Sequence, residues 1–211
     1  AGEAAAASLL PERGFIGSLR VLGQVRKLFL ICEGSDSLYI VDQHAADERV
    51  KYDALRREYA ERAVRVQRLL FPERVELSAE EMDLAREHLA DIRDAGLDCD
   101  LIGPTAVAVR SVPALLGRAS PEGLLRDLLT EIGRGGQRAF ADSIERALAT
   151  MACHGAIRAG DALSLEEAGA LLRALDQVTD FAGHCPHGRP VVHGVSLIDL
   201  ELRVGRKKGS R

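Results

Sequence analysis

Three short stretches of this chain bring together residue types that can do chemistry. Asp42-Gln43-His44-Ala45-Ala46-Asp47-Glu48-Arg49 lies where an apolar run meets a charged, helix-patterned one. His44 and Glu48 are four residues apart, so on a helix they share a face one turn apart. Asp42 closes the preceding strand. Imidazole with carboxylates is a suitable set for a divalent metal. Asp is also a favoured helix cap, which is a second use for Asp42, and Glu48 has the bland reading of a solvated face residue. Cys185-Pro186-His187-Gly188-Arg189-Pro190 offers a thiolate and an imidazole on one side of an extended segment stiffened by prolines, a pairing that suits zinc. Cys153, within Met151-Ala152-Cys153-His154, lies on an apolar helical pattern, where a small buried Cys is an ordinary core residue.

The elements that must position these residues follow from local patterning. Residues 15–43 read as β, with strands at 20–25, 28–32 and 37–41 and a tight turn at Gly34-Ser35-Asp36. Their continuous apolar character predicts burial on both faces. A helix is expected over 45–62, followed by an extended stretch from Arg65 that ends at Pro72. Ser78 with Glu81 forms a capping box for a helix stopping at Gly96. Short strands near 101–102 and 107–109 come next, then a helix opened by Ser120-Pro121 and ending at Gly133, and a loop over Arg134-Gly135-Gly136-Gln137. Asp142 with Glu145 opens a helix with Ile144, Leu148, Met151 and Ala152 inward, and Ser164 with Glu167 caps another carrying Ala168, Leu171, Leu172 and Leu175. The last element reads as a partly alternating strand over 196–204.

β-rich ends with an α/β piece between them predict an α+β fold of two lobes, one discontinuous and one inserted. The boundaries read as a linker end over 1–13, a first lobe from 14–71 with 141–206, an inserted lobe over 72–140 and a basic tail over 207–211. The Ala-rich start, lacking Met, reads as part of a longer protein. Hydrophobic residues are 46% of the 211 and charged residues 28%, enough for a real core without disulfides. No stretch reaches the roughly 20 apolar residues of a membrane span. Four cysteines in no dense framework point to a reducing, cytoplasmic setting. The net charge of −4 argues against holding DNA by bulk electrostatics, so any DNA binding by this chain alone is expected to be weak. No phosphate-binding glycine motif is present, so no ATP site is expected.

Taken together, the three stretches resemble the C-terminal domain of MutL, the DNA mismatch-repair protein, in its endonuclease-bearing form. Asp42-Gln43-His44-Ala45-x-x-Glu48 is similar to that family's metal-dependent endonuclease motif. Ala152-Cys153 and Cys185-Pro186-His187-Gly188-Arg189-Pro190 are similar to its two further site motifs, in the same order, and the likeness runs from about Phe15 to Arg206. The resemblance implies a metal site of His44, Glu48, Cys153, Cys185 and His187, with Asp42, His44 and Glu48 catalytic. It implies zinc in a structural or regulatory role, and manganese or magnesium for single-strand nicking of duplex DNA. It also implies a homodimer, with MutS and an N-terminal ATPase region as partners outside this chain. Where the family pattern has a second Glu five residues after the first, this chain has Asp53, one methylene shorter.

Gln67-Arg68-Leu69-Leu70-Phe71-Pro72 is similar to the peptide by which bacterial replication proteins bind the sliding clamp. Gln67 would supply directional hydrogen bonds, and Leu69, Leu70 and Phe71, ahead of Pro72, would fill an apolar groove. Its bland reading is a strand packed into this protein's own core. The alternative to an endonuclease is a non-catalytic dimerisation module with a structural zinc site, for which Asp42-x-His44 with Glu48 would be superfluous.

Overall fold

The computed structural model describes residues 14–135, 140–157, 160–179, 181, 183–185 and 188–206. Its elements in chain order are α1 (Phe15–Ser18), β1 (Arg20–Val25), β2 (Phe29–Glu33), β3 (Ser37–Asp42), α2 (Gln43–Ala60), β4 (Val66–Glu76), α3 (Ala79–Glu87), α4 (Leu89–Asp94), β5 (Cys99–Leu101), β6 (Ala106–Pro113), a 3-10 turn at Ala114–Leu116, α5 (Pro121–Gly135), α6 (Phe140–Gly155), α7 (Leu165–Asp176), β7 (Val192–Ser196) and α8 (Leu197–Arg203). The fold is α+β. Two compact units divide it: the described residues up to Val50 with those from Ile157 onward, and Lys51–Ala156. The linker end and the basic tail lie outside the described residues. Among the described residues no helix is long and apolar enough to cross a membrane.

In the first unit an antiparallel sheet has the order β1-β2-β3-β7. Its inner face carries Leu30, Cys32, Tyr39 and Val41, which pack with Ala168, Leu171, Leu172 and Leu175 of α7 and with Ala45 and Ala46 of α2. The expected burial of both sheet faces is corrected here. β3 alternates fully buried and half-buried residues, and on the other face Val25 and Phe29 are exposed while Ile31, Leu38, Ile40 and Val195 are half-buried.

Two further corrections concern the ends of this unit. Phe15–Ser18 is a helical turn rather than strand, because the Asp176 carboxylate accepts from the Ile16 N–H at 3.1 Å and Ile16 is buried. Residues 197–203 form a helix rather than a strand. The Ser196 hydroxyl caps it by accepting from the Ile198 N–H at 3.2 Å. Its Leu and Ile spacing satisfies either period, and the cap decides.

The second unit holds the antiparallel sheet β4-β6-β5 with helices α3 to α6. β6 is its central strand and is buried except at Arg110. Leu124, Leu125, Leu128 and Leu129 of α5 pack with Ile144, Leu148 and Met151 of α6 in the core. The helix expected to run to Gly96 breaks at His88, whose ring lies 3.2 Å from the Asp91 carboxylate. The extended segment does not end at Pro72. β4 continues through it to Glu76, because Leu69–Pro72 bulge out of the ladder, where proline's missing N–H is not needed.

Both capping boxes are present, at Ser78/Glu81 and Ser164/Glu167, with the hydroxyl accepting from the third helical N–H at 3.2 Å in each. Ser164→Ala should therefore lower stability by about 1 kcal/mol in urea unfolding, by removing one partner of the α7 N-terminus while leaving its buried face intact.

Candidate functional site

The candidate site is built on the junction of β3 and α2. β3 ends at Asp42, whose Oδ1 accepts from the Ala45 N–H at 3.0 Å, so Asp42 is the helix cap of α2. His44 follows on the first turn, its Nδ1 lying 2.8 Å from the Ile157 carbonyl oxygen. A carbonyl only accepts, so Nδ1 is the ring nitrogen that donates here, and Nε2 is the one left available to a ligand. That Nε2 lies 3.9 Å from Oε2 of Glu48, too far for a hydrogen bond. Glu48 is completely buried.

The pair fits a cation. A buried carboxylate is stabilised by positive charge or by hydrogen bonds. An imidazole whose other nitrogen donates to a backbone carbonyl has the arrangement common to metal-ligating histidines. A span of 3.9 Å is also less than twice the roughly 2.0–2.2 Å bond of such ligands, so one ion can reach both. Asp42 stands outside this close grouping as the cap.

Cys185 belongs to the same unit and is 4% exposed. It sits on a narrow loop: the Cys185 N–H donates to the Arg189 carbonyl at 2.9 Å, and the Gly188 N–H donates back to the Cys185 carbonyl at 2.9 Å, with Gly188 at φ 81°. The loop is tied to the start of α2, since the Asp42 N–H donates to the Val191 carbonyl at 2.9 Å. His187 and Pro186 lie outside the described residues. Cys153 lies on α6 in the second unit and is half-buried. Asp53, on α2 and also in the second unit, is buried and pairs with Arg57 Nε at 3.2 Å, an i,i+4 contact. Cys32 and Cys99 are completely buried in the two cores, and burial pushes both thiols up to about 11, so they are inert packing residues.

The clamp-like peptide divides between the two uses considered for it. Leu69 packs against the second unit's core, but Leu70 is 89% and Phe71 78% exposed. Gln67 and Pro72 are exposed as well.

Gln43 and Asp47 are the residues whose roles the sequence left unassigned. The Gln43 side chain is fully buried, and its Nε2 donates to the Lys27 carbonyl at 3.0 Å and the Asp161 carbonyl at 3.1 Å. Its Oε1 accepts from Gln24 Nε2 at 2.5 Å. Asp47 accepts the Ile157 N–H at 2.7 Å, so both polar backbone groups of Ile157 are held by α2. A Gln and an Asp among small residues at a strand-to-helix junction, Gln43-His44-Ala45-Ala46-Asp47, are the signal that could have marked them.

An antiparallel sheet whose third strand delivers an acid, an imidazole and a second acid onto the opening turns of a helix defines an α+β chain with a candidate metal site. Residues 22–163 match the family described as the MutL C terminal dimerisation domain, and the chain belongs to that family. It is similar to the DNA mismatch repair protein MutL of Geotalea daltonii, 40% identical over 191 residues, covering 90% of this chain and 32% of that protein. The MutL of Anaeromyxobacter dehalogenans is 42% identical over 201 residues, covering 93% and 32% respectively. The chain thus spans about a third of the length of the curated relatives it matches.

Gln43→Leu keeps the bulk of the side chain but removes its hydrogen bonds to Lys27, Asp161 and Gln24. It should cost about 1–3 kcal/mol in urea unfolding.

Proposed function

We propose that this chain is the nicking and dimerising part of a mismatch-repair protein, a metal-dependent endonuclease that cuts one strand of duplex DNA. The observation that supports this best is the His44–Glu48 pair, with the imidazole Nε2 3.9 Å from an oxygen of a fully buried carboxylate. In this reading zinc is held by His44, Glu48, Cys153, Cys185 and His187, while Asp42, His44 and Glu48 serve manganese or magnesium. Thiolates favour the first ion, and carboxylates favour the other two. A bound divalent ion supplies positive charge to the phosphodiester and makes a water molecule more acidic. His44 is oriented for this by Ile157, and Asp42 by the first turn of α2. The ATPase region and MutS act through the remainder of the longer protein.

Dimerisation is assigned to the outer face of the first sheet, which carries the apolar residues Val25, Phe29, Ile31, Leu38, Ile40 and Val195. Delivery to DNA is assigned to the sliding clamp through Gln67 and the bulged Leu69–Pro72, where the apolar Leu70 and Phe71 are both strongly exposed.

The cap made by Asp42 favours a second reading, a non-catalytic dimerisation module in which this junction is structural. Asp42→Asn separates the two, because Asn caps a helix as well as Asp does but is a poorer ligand for a hard cation. With manganese and supercoiled plasmid, Asp42→Asn should nick about a hundredfold more slowly than wild type. Light scattering should find both proteins dimeric. Equal nicking rates would leave Asp42 a cap and nothing more. Leu70→Ala with Phe71→Ala should abolish stimulation of nicking by the clamp. It should change unfolding stability by no more than about 0.5 kcal/mol, since both side chains are exposed.

A further inference from the structure

The turn joining β1 to β2 places two long cations in an unfavourable backbone conformation. Arg26 and Lys27 both have φ 53°, and the Leu28 N–H donates to the Val25 carbonyl at 3.0 Å, which makes a type I′ turn. Such turns select Asn-Gly, because a residue with a bulky Cβ substituent occupies the left-handed region at a cost. Both side chains are exposed, and among the described residues neither is paired, whereas Arg20 on the adjoining strand is paired with Glu33.

The turn is also fixed in place. The Lys27 carbonyl accepts from Gln43 Nε2 at 3.0 Å and from the Gly160 N–H at 3.1 Å, and the Leu28 carbonyl accepts from the Gln43 N–H at 3.1 Å. Gln43 stands between Asp42 and His44. In the β2–β3 ladder Phe29 is the direct partner of Asp42. Two uncommitted positive charges are therefore fastened, through one buried amide, to the first turn of the helix that carries the proposed cutting site.

We infer that the Arg26-Lys27 turn contacts the phosphodiester backbone of duplex DNA and holds the strand to be cut beside Asp42, His44 and Glu48. The inference rests on the reading of that cluster as the cutting site. A chain of net charge −4 has no general attraction for DNA, so its contacts must come from local cations. A turn already fixed in place adds no backbone ordering to the cost of binding, which leaves only that of the two side chains.

The test uses the 211-residue chain, a short fluorescent duplex and a salt titration. Arg26→Asn with Lys27→Gly removes both charges while supplying the residues a type I′ turn prefers. It should raise Tm and, at the same time, weaken duplex binding. The slope of log affinity against log salt should fall by about 2, from about 0.9 per phosphate contact. Arg26→Gln with Lys27→Gln, which leaves the strained backbone, should lose the same slope without the gain in Tm. An unchanged slope in both variants, or no measurable duplex binding by wild type at low salt, would overturn the inference. The nicking assay separates this from the underlying reading. If wild type does not nick with manganese yet both variants lose slope, the DNA contact stands and the endonuclease reading fails.

Discussion

One buried amide organises the first unit. Gln43 carries no charge and touches no water, yet its side chain holds two distant carbonyls and a second amide, while its own N–H holds a third carbonyl. An unpartnered polar group at such a depth is costly, so the arrangement tolerates little displacement of any member. The hairpin turn at 26–27, the backbone at 160–161 and the start of α2 are therefore positioned together. Asp47 and His44 add Ile157 to the same assembly, and the Asp42 N–H adds the strand end at Val191. The imidazole of His44 owes its orientation to this set of backbone contacts rather than to a neighbouring side chain.

This explains what was legible in the sequence and what was not. Features encoded within a few residues of themselves were readable: the capping boxes at Ser78 and Ser164, the strands on either side of Gly34, and the four-residue spacing of His44 and Glu48. Features that depend on distant backbone were not. Two of the partners of the Gln43 amide lie 16 and 118 residues away and are carbonyls, which every residue possesses, so no side-chain type announces those two. α1 exists because Asp176 reaches the N–H of its second residue, Ile16, and the helix over 197–203 exists because a single hydroxyl settles a pattern compatible with two periods. Burial of the sheet was overestimated for a similar reason. An apolar run states that a strand is greasy, and only the placement of α7 decides which face it covers.

The cysteines show how little residue type says without surroundings. Cys32 and Cys99 are shut into the two cores with thiols pushed up to about 11, whereas Cys185 sits on a tight loop bonded to the backbone next to Asp42. Asp53 makes the same point for carboxylates. It is buried like Glu48, but it is engaged by an arginine on its own helix.

The bulge in β4 has a consequence for how the chain can change. Arg68 pairs with Ser111 and Glu73 with Val109, so four residues, Leu69–Pro72, stand opposite Arg110 alone before the ladder resumes. Past the bulge the inward positions return in phase, with Val75 and Val107 buried as ladder partners. Most of the extruded peptide is thereby released from the sheet's alternation. Substitution at Leu70 or Phe71 leaves the pairing of Glu73–Glu76 with β6 unaltered. A single strand thus carries two independent messages, one read by its own core and one open to the surroundings, and the second is free to diversify while the first is held constant.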